Sequence, residues 1–283
     1  MNDMLQSLTR LIYSTDAVLI FAGAGMSVEI GNKPYWAGKN AKYGGETTKH
    51  GLTPLQHATE EAWVSNPQQQ TAYVKETQET FLHNLQSSKT NLYTELLKIL
   101  QKNNIDYHVV TSNVDNAFLY YGYDINKIYE KHGNYFYAQC SKHRNHPIIQ
   151  YSAAAKTCEE CGALLRPNVL MFGDTKFSTA RETEQWYKYD DHLNDLIDSK
   201  QKTLILEIGV GATVLNIRDT ATKAYYLLKT APFIHLNPIP EDINNYSQIA
   251  LLTSREKPTG KELWIPKTSE ELTKALQESG LKP

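Results

Sequence analysis

Residues 17–27 read AVLIFAGAGMS, an apolar run that ends in two glycines and a serine. A run without polar alternation is typical of a strand buried on both faces of a parallel sheet. Glycines directly after such a strand let the backbone approach a phosphate, and the N-terminus of a following helix offers N–H groups to its charge. The stretch therefore predicts an α/β fold with a nucleotide-binding loop. A tight turn without a ligand is the alternative, because the next glycine is only Gly31.

Three further apolar runs, at residues 107–111, 203–206 and 233–236, alternate with helical patterns. This alternation predicts parallel strands joined by crossover helices. The sequence TSEE at residues 268–271 is a capping box and predicts a last helix near the C-terminus. In such sheets, ligands bind beyond the carboxyl ends of the strands. The candidate residues at those ends are Gly23, Gly25, Ser112, Asn113, Gly209, Gly211 and Asn237.

The predicted fold class is α/β, with a Rossmann-like parallel-sheet domain and a smaller module made of a zinc ribbon and a helical insertion. The large domain is assigned to residues 1–44, 99–134 and 166–283. The helical insertion occupies residues 45–98, and the ribbon occupies residues 135–165. The core of the insertion is expected to hold its large apolar side chains, which are Trp63, Tyr73, Phe81 and Leu82.

Composition narrows the class of protein. The chain has 283 residues, of which 41% are hydrophobic, so a packed core is expected. The net charge is −2 and no run of lysine or arginine stands out, which disfavours nucleic acid as a partner. The N-terminal residues lack the features of a signal peptide, and no apolar run approaches the length of about 20 residues that a membrane span needs. These features predict a cytoplasmic protein with no membrane partner.

The three cysteines, Cys140, Cys158 and Cys161, fall in a polar segment. In a chain without a secretory signal, cysteines at this spacing favour metal or redox chemistry. His143 forms a second pair with Cys140, and the resulting Cys₃His set is of the kind that binds structural Zn²⁺ tetrahedrally. His146 is the alternative fourth ligand, since it is also within reach of Cys140. A redox pair is the other alternative, but the segment lacks the βα turn of thioredoxin-like proteins.

Two further groups of polar residues follow predicted strands. Asn113 and Asp115 come after the second strand, and His132 comes after a short strand at residues 128–129. An amide and a carboxylate at a strand end either cap the next helix or hold a polar ligand. A histidine there can act as a general base near neutral pH, or it can be held in a purely structural hydrogen bond.

Taken in order, these pieces resemble the sirtuin (Sir2) family over nearly the whole chain. GAGMS at residues 23–27 is similar to the family's GAGxS loop, and TSNVD at residues 111–115 to its TQNID strand end. His132-Gly133 matches the HG pair. RPNVLMFGD at residues 166–174 resembles the RPxVVxFGE segment that pairs with a substrate peptide as an added strand.

Two later motifs extend the resemblance: GVGAT at residues 209–213 stands where the family has GTS, and Leu236-Asn237 where it has the IN pair. The resemblance implies that NAD is consumed as co-substrate and that zinc is structural. Adenine contacts are expected near Leu251-Leu252. The residues implied to bind NAD are Gly23, Ala24, Gly25, Ser27, Tyr35, Ser112, Asn113, Asp115, His132, Gly209, Gly211 and Asn237. The implied catalytic residues are His132, Asn113 and Asp115, and the implied zinc ligands are Cys140, His143, Cys158 and Cys161.

Some segments depart from the common family pattern. Where the family continues with GIPDFR, this chain has GNKPYW at residues 31–36, which keeps an aromatic at Tyr35 and replaces the arginine with Trp36. NVDNAF at residues 113–118 looks like the macrodomain-linked (class M) sirtuins of microbes, which are associated with mono-ADP-ribosylation of a protein, notably a lipoylated carrier. His132 is shared with deacylases instead, because class M members commonly have Gln there.

The resemblance implies an enzyme that cleaves the nicotinamide–ribose bond of NAD. The first hypothesis is mono-ADP-ribosyl transfer to an acceptor protein, either acylated or lipoylated. The alternative is NAD-dependent lysine deacylation, in which the acyl oxygen is the nucleophile and His132 deprotonates a ribose hydroxyl. A non-catalytic sensor of NAD or ADP-ribose is the third hypothesis.

Overall fold

The computed structural model describes residues 3–36, 41–151, 156–239 and 258–279. In chain order, the strands are β1 (Ala17–Ala22), β2 (Asp106–Thr111), β3 (Ile128–Glu130), β4 (Gly133–Cys140), β5 (Ile149–Gln150), β6 (Leu165–Val169), β7 (Thr203–Ile208), β8 (Phe233–Leu236) and β9 (Glu262–Ile265). The α-helices are α1 (Asp3–Tyr13), α2 (Pro54–His57), α3 (Glu60–Ser65), α4 (Pro67–Ser87), α5 (Leu92–Lys102), α6 (Ala117–Tyr120), α7 (Ala180–Ser199), α8 (Asn216–Leu228) and α9 (Ser269–Ser279).

Six of the strands form one parallel sheet in the order β3-β2-β1-β7-β8-β9. The sheet confirms the predicted α/β class and the four predicted strands. Helices cover both of its faces, which explains why β1 carries no polar residue. Val18 and Ile20 pack into the core on the side of α1, α5 and α9, whereas Leu19 and Phe21 pack against α7 and α8.

The register of the strands brings their carboxyl ends to one level. Ala22 of β1 lies opposite Thr111 of β2 and Ile208 of β7, and Ile208 lies opposite Leu236 of β8. The residues that follow these four ends therefore emerge side by side at one edge of the sheet. This edge holds most of the residues that the sequence assigned to the NAD site.

A smaller module lies beside the large sheet. It contains α2 to α4 and an antiparallel sheet in the order β5-β4-β6. As predicted, Trp63, Tyr73 and Phe81 are buried, but Leu82 is 37% exposed because it lies on the outer face of α4. α5, which begins inside the predicted insertion, packs onto the large sheet instead.

The last helix begins where the capping box predicted. The Thr268 backbone N–H donates to Glu271 Oε2 at 2.9 Å, and the Glu271 N–H donates to Thr268 Oγ1 at 3.2 Å. Leu272 and Leu276 of α9 are buried against α1 and α5. Across the described ranges, none of the helices combines the length and apolarity needed to cross a membrane.

Gly133, at the start of β4, tolerates no side chain, and we expect Gly133→Ala to destabilise the fold strongly. Its φ is +76°, and an added Cβ would lie 1.9 Å from the Asn168 carbonyl oxygen of β6. A left-handed φ costs about 1–2 kcal/mol for alanine, and overpacking adds about 1–3 kcal/mol. Gly173→Ala is the matched control, since its φ is +71° and the space around its Cβ is open. Equal losses of melting temperature in the two variants would contradict the predicted clash.

Candidate active site

A cavity of about 750 Å³ opens at the carboxyl edge of the large sheet, between this sheet and the smaller module. Its volume lies within the range of about 300–1,000 Å³ that is usual for ligand pockets. Many of the residues predicted to bind NAD line it, namely Gly23, Ala24, Gly25, Tyr35, Ser112, His132, Gly209, Gly211 and Asn237. Leu251 and Leu252, predicted near the adenine, fall outside the described residues.

The glycine loop owes its glycines to protein packing as well as to any ligand. A Cβ added to Gly23 would lie 2.5 Å from the Gly209 carbonyl oxygen. A Cβ added to Gly25 would lie 2.7 Å from Gly209 Cα. At Gly209, whose φ is +61°, an added Cβ would lie 2.3 Å from the backbone nitrogen of Met26. The Gly25 N–H also donates to the Gly209 carbonyl at 3.0 Å. The loops after β1 and β7 thus touch backbone to backbone.

The helix that follows the glycine loop is shorter than the sequence led us to expect. The glycine loop leads into a 3-10 helix of five residues, Ala24–Val28, instead of a long α-helix. The chain turns away after it because Gly31 takes a φ of +95°. The N–H groups aligned at this end are therefore few, and the dipole available to a phosphate is smaller than that of a regular crossover helix.

Behind the cavity, the predicted residues Ser27, Asn113 and Asp115 join in one buried hydrogen-bond network. Ser27 Oγ donates to Asp115 Oδ2 at 2.6 Å and lies 2.7 Å from the hydroxyl of Tyr93. Asn113 Nδ2 donates to Ser27 Oγ and to the Gly23 carbonyl, both at 3.1 Å. Asn113 Oδ1 is buried, and no donor in the described part of the chain forms a hydrogen bond to it. An unpaired buried acceptor of this kind fits a donor group on a ligand.

Asp115 is the carboxyl group at the centre of this network. Burial raises the pKa of its carboxyl, while hydrogen bonds from Ser27, the Ala117 N–H and Asn32 lower it. The Asn32 amide donates to Asp115 Oδ2 at 2.9 Å, and Asn84 Nδ2 of α4 donates to Asn32 Oδ1 at 2.8 Å. A relay of two asparagines therefore connects the helical insertion to this carboxylate.

His132 lies across the cavity from the glycine loop, at the turn between β3 and β4. Its Nε2 is 2.5 Å from Asn216 Nδ2, at the start of α8. Burial and the nearby charge of Lys131 together lower the pKa of His132 to about 4, against a hydrogen bond to the Ser112 backbone that raises it. The imidazole is therefore neutral at pH 7.

Aromatic side chains form the wall of the cavity nearest the smaller module. The rings of Trp36 and Tyr43 are 4.8 Å apart, and Phe172 lies 6.1 Å from Trp36. Behind the wall, the Lys42 ammonium lies 5.3 Å from the Tyr35 ring centroid. Burial lowers the pKa of Lys42 to about 8. Lys42 therefore packs behind Tyr35 and does not line the cavity.

Asn237 positions the loop after β7. Its Nδ2 donates to the Val210 carbonyl at 2.8 Å, and Arg218 of α8 donates to the same carbonyl at 2.9 Å. Arg218 is itself held by the buried carboxylate of Glu207, with Nη2 2.8 Å from Oε1. These bonds fix Val210, which lines the cavity.

Three cysteines and one histidine meet in the smaller module. The ligand atoms of Cys140, His146, Cys158 and Cys161 all lie within 4.8 Å of one another. His143, the predicted fourth ligand, is not in this group. It lies outside, with its ring centroid 4.7 Å from that of His146. The structure therefore favours His146. The turn after Cys140 brings the imidazole of His146 back to the sulfurs, whereas His143 comes too early in the turn.

The spacing of these atoms fits zinc. A tetrahedral site with Zn–S of about 2.3 Å and Zn–N of about 2.0–2.1 Å requires edges of about 3.8 Å between sulfurs and about 3.6 Å between nitrogen and sulfur. Cys140 Sγ lies 3.6 Å from Cys161 Sγ, and His146 Nδ1 lies 3.2 Å from Cys158 Sγ. All three cysteines are free thiols, as metal binding requires. The donor set is that of a structural zinc site.

The motifs in the sequence did not point to several polar residues near Asp115 and His132, namely Asn32, Asn84, Tyr93 and Asn216. Asn32 follows Gly31 directly, and Asn216 follows the loop at residues 209–213, so both were adjacent to motifs that had been identified. Tyr93 and Asn84 gave no local signal, because they lie on α5 and α4 and reach the site only through the tertiary fold.

Comparison with known proteins identifies the class. The parallel sheet, glycine loop, buried Asn113 and Asp115, and inserted zinc module define a sirtuin-type NAD site. A model of the Sir2 family matches residues 23–197, more than half of the chain. The protein therefore belongs to the Sir2 family and is an NAD-dependent enzyme of the sirtuin type, as the motifs predicted.

The relatives of this chain fall into two groups by the activity for which they are named. An NAD-dependent protein deacylase of Pyrococcus abyssi (strain GE5 / Orsay) is 28% identical over 179 residues, 60% of this chain and 66% of that protein. A protein ADP-ribosyltransferase of Staphylococcus aureus (strain Mu50 / ATCC 700699) is 31% identical over 129 residues, 38% of this chain and 39% of that protein. The chain thus matches just under two thirds of the length of the deacylase and well under half of the transferase.

Solved structures agree on the fold. A structure described under "The Structural basis of Sirtuin Substrate Affinity" superposes with a TM-score of 0.63 and 19% identity, over 97% of this chain and 98% of that one. A Sir2 complex with a p53 peptide and NAD⁺ has a TM-score of 0.60 and 18% identity, over 97% of each chain. At these identities the likeness shows the fold alone.

Proposed function

We propose that this protein is a mono-ADP-ribosyltransferase that cleaves the nicotinamide–ribose bond of NAD and transfers ADP-ribose to an acceptor protein. The acceptor is a protein that carries an acyl or lipoyl group. The chain's similarity to the staphylococcal protein ADP-ribosyltransferase supports the proposal. The cytoplasmic location stays a prediction from the sequence.

The observation that carries the proposal concerns the segment that would pair with a peptide substrate. Its successive N–H groups are already taken. Leu170 donates to the His132 carbonyl at 2.9 Å, Met171 to Asp174 Oδ2 at 3.3 Å, and Phe172 to the Ala58 carbonyl at 2.8 Å. An extended peptide added as a strand needs free backbone groups along this edge. Transfer to a protein surface does not.

Different groups of residues would have different roles in this reaction. The glycine loop and the loop after β7 would hold the nucleotide, while Asn113 and Asp115 would hold the nicotinamide end. NAD supplies the labile nicotinamide–ribose bond. The aromatic wall at Trp36, Tyr43 and Phe172 keeps water from the reacting carbon, so that the acceptor captures it. Neutral His132 takes the proton from the acceptor group, a step that typically contributes about 10²–10⁴ in rate.

Lysine deacylation is the second candidate. The observation that favours it is His132 itself, which is half-buried, neutral at pH 7 and open to the cavity. The deacylase relatives and a solved Sir2 enzyme bound to a propionylated peptide also point in this direction. In this reaction His132 would take its proton from a ribose hydroxyl.

An assay with NAD labelled in the adenylate part separates these functions. The acceptors are a lipoylated carrier protein, the same carrier without lipoate, and an acetylated lysine peptide. Label on protein indicates transfer, and labelled O-acyl-ADP-ribose indicates deacylation. Free ADP-ribose alone indicates an NAD glycohydrolase, and unchanged NAD indicates the non-catalytic sensor. Asn113→Ala is the inactive control.

We expect Asn32→Leu to shift the pH dependence of nicotinamide release. The Asn32 amide lowers the pKa of Asp115, so its loss raises that pKa further. As the pH falls, Asp115 then becomes protonated at a higher pH than in the wild type. The acid limb of kcat/KM therefore shifts to higher pH, while the rate at pH 8 changes little. In Asn84→Ala the bond from Asn32 to Asp115 stays in place, and the limb should remain near that of the wild type. Identical limbs in all three proteins would show that Asn32 does not tune Asp115.

A further inference from the structure

A second cavity lies outside the NAD site, between the start of the helical insertion and the zinc module. Its volume is about 360 Å³, which is within the range of small-molecule pockets. One part of its lining is apolar and includes Trp63, Val64 and Leu164. The cavity is therefore large enough to take a short aliphatic group.

The charged part of the lining is mostly positive. Lys142, Arg166 and Lys176 face a single carboxylate among the lining residues, Glu60. Glu60 is already engaged, since Thr175 donates to it from its backbone at 2.7 Å and from its hydroxyl at 2.9 Å. Lys176 Nζ lies 4.0 Å from Glu60, and no described carboxylate pairs with Lys142. The rim thus has cationic charge to offer to an anion.

Two buried donors in the same wall lack acceptors. Trp63 is 6% exposed and Arg166 is 2% exposed, and neither Trp63 Nε1 nor Arg166 Nε has a hydrogen-bond partner in the described chain. The remaining guanidinium nitrogens of Arg166 are used, with Nη2 bonded to both oxygens of Asp174 at 2.9 and 2.8 Å. Because buried donors in proteins are almost always paired, this wall is short of acceptors.

We propose that this cavity is a binding site for a carboxylate carried on a short aliphatic chain. The chain would pack against Val64 and Leu164. The carboxylate would accept from the unpaired Trp63 Nε1 and Arg166 Nε, with Lys142 and Lys176 beside it. A free aliphatic acid and the C-terminal carboxylate of a peptide that ends in leucine share this chemistry. The site is separate from the NAD cavity, and the proposal does not depend on which NAD reaction the protein catalyses.

The position of the cavity connects it with the NAD site. The Glu60 N–H donates to the Phe172 carbonyl at 3.1 Å, and Arg166 Nη1 contacts the Met171 sulfur at 3.4 Å. Met171 and Phe172 line the NAD cavity. A ligand in the second cavity would therefore touch side chains that hold the wall of the first.

Fluorine NMR of the protein labelled with 5-fluorotryptophan tests the proposal. The chain has four tryptophans, and Trp63→Phe assigns the Trp63 signal. We expect octanoate to shift this signal saturably, and octylamine and octanol to shift it much less. N-acetyl-Gly-Leu, with a free carboxylate, distinguishes a peptide source from a free acid. NAD is omitted, so the result is independent of catalysis.

The lysine side chains provide the matched variants. Lys142→Gln combined with Lys176→Gln should weaken octanoate binding by about tenfold, the factor expected when two partly exposed ion pairs are lost. Lys98→Gln on α5 removes an exposed charge away from the cavity and should leave binding unchanged. Zinc content is measured in each variant, since Lys142 is close to Cys140. Absence of a saturable shift at Trp63, equal binding of octylamine, or unchanged affinity in the double variant would each overturn the proposal.

Discussion

We expect His146→Ala to abolish zinc binding and destabilise the smaller module, whereas His143→Ala should leave both zinc content and stability unchanged. The reason is geometric, because His146 Nδ1 lies 3.2 Å from Cys158 Sγ and His143 is not among the grouped ligand atoms. Structural zinc stabilises small modules by on the order of 10 kcal/mol. Loss of even a third of this, about 3 kcal/mol, lowers the melting temperature by about 6–12 °C.

The measurement combines metal analysis with thermal unfolding. Wild type and His143→Ala should contain about one zinc per chain, and His146→Ala and Cys158→Ser clearly less. The two histidine variants are well matched, since each removes one imidazole from the same turn. Loss of zinc in His143→Ala with retention in His146→Ala would reverse the ligand assignment. Full occupancy in all variants would exclude the zinc site.

The second large effect concerns catalysis. We expect Asn113→Ala to slow nicotinamide release by about 10²–10³-fold, the usual effect of removing one preorganised polar group from a reaction centre. Asn113 is buried, its Nδ2 is fixed by Gly23 and Ser27, and its Oδ1 has no hydrogen-bond partner among the described residues. The substitution removes this oxygen without adding bulk.

Tyr93→Phe is the control for the network around Asn113. It removes the hydroxyl that lies 2.7 Å from Ser27 Oγ but leaves Asn113 and Asp115 in place. The hydroxyl also accepts a long hydrogen bond from Asn113 Nδ2 at 3.4 Å. Its loss should slow nicotinamide release by less than about tenfold, the size of the loss expected for neutral hydrogen bonds. Zinc content and circular dichroism verify that both variants are folded. Release by Asn113→Ala within threefold of the wild type would show that this side chain does not contact NAD.

Several features were predictable because they depend on neighbouring residues. The apolar runs, the capping box at Thr268 and Glu271, and the order of the Sir2 motifs are local signals, and the fold and family confirm them. The position of the glycine loop was also predicted correctly, but phosphate binding is only part of the reason why glycines are needed there. Its glycines allow contact with the backbone of Gly209, a residue more than 180 positions away in the sequence.

The choice of zinc ligand shows the same limit. Spacing in the sequence predicted His143, with His146 as the alternative, because both lie within reach of Cys140 along the chain. Only the path of the turn between the paired strands β4 and β5 decides which ring reaches the sulfurs. The peptide-pairing segment was likewise recognisable from its sequence, whereas the use of its N–H groups by Ala58, His132 and Asp174 was not.

The sequence by itself determined the parallel α/β sheet, the strand ends that carry the site and the presence of a Cys₃His cluster. Each of these features can be predicted from local patterns of polarity and spacing in the sequence. The tertiary structure alone decided that His146 completes the cluster, that Asn84 and Asn32 support Asp115, and that the loop at residues 23–27 packs on Gly209. These contacts join segments far apart in the chain, and their geometry exists only once the elements have packed.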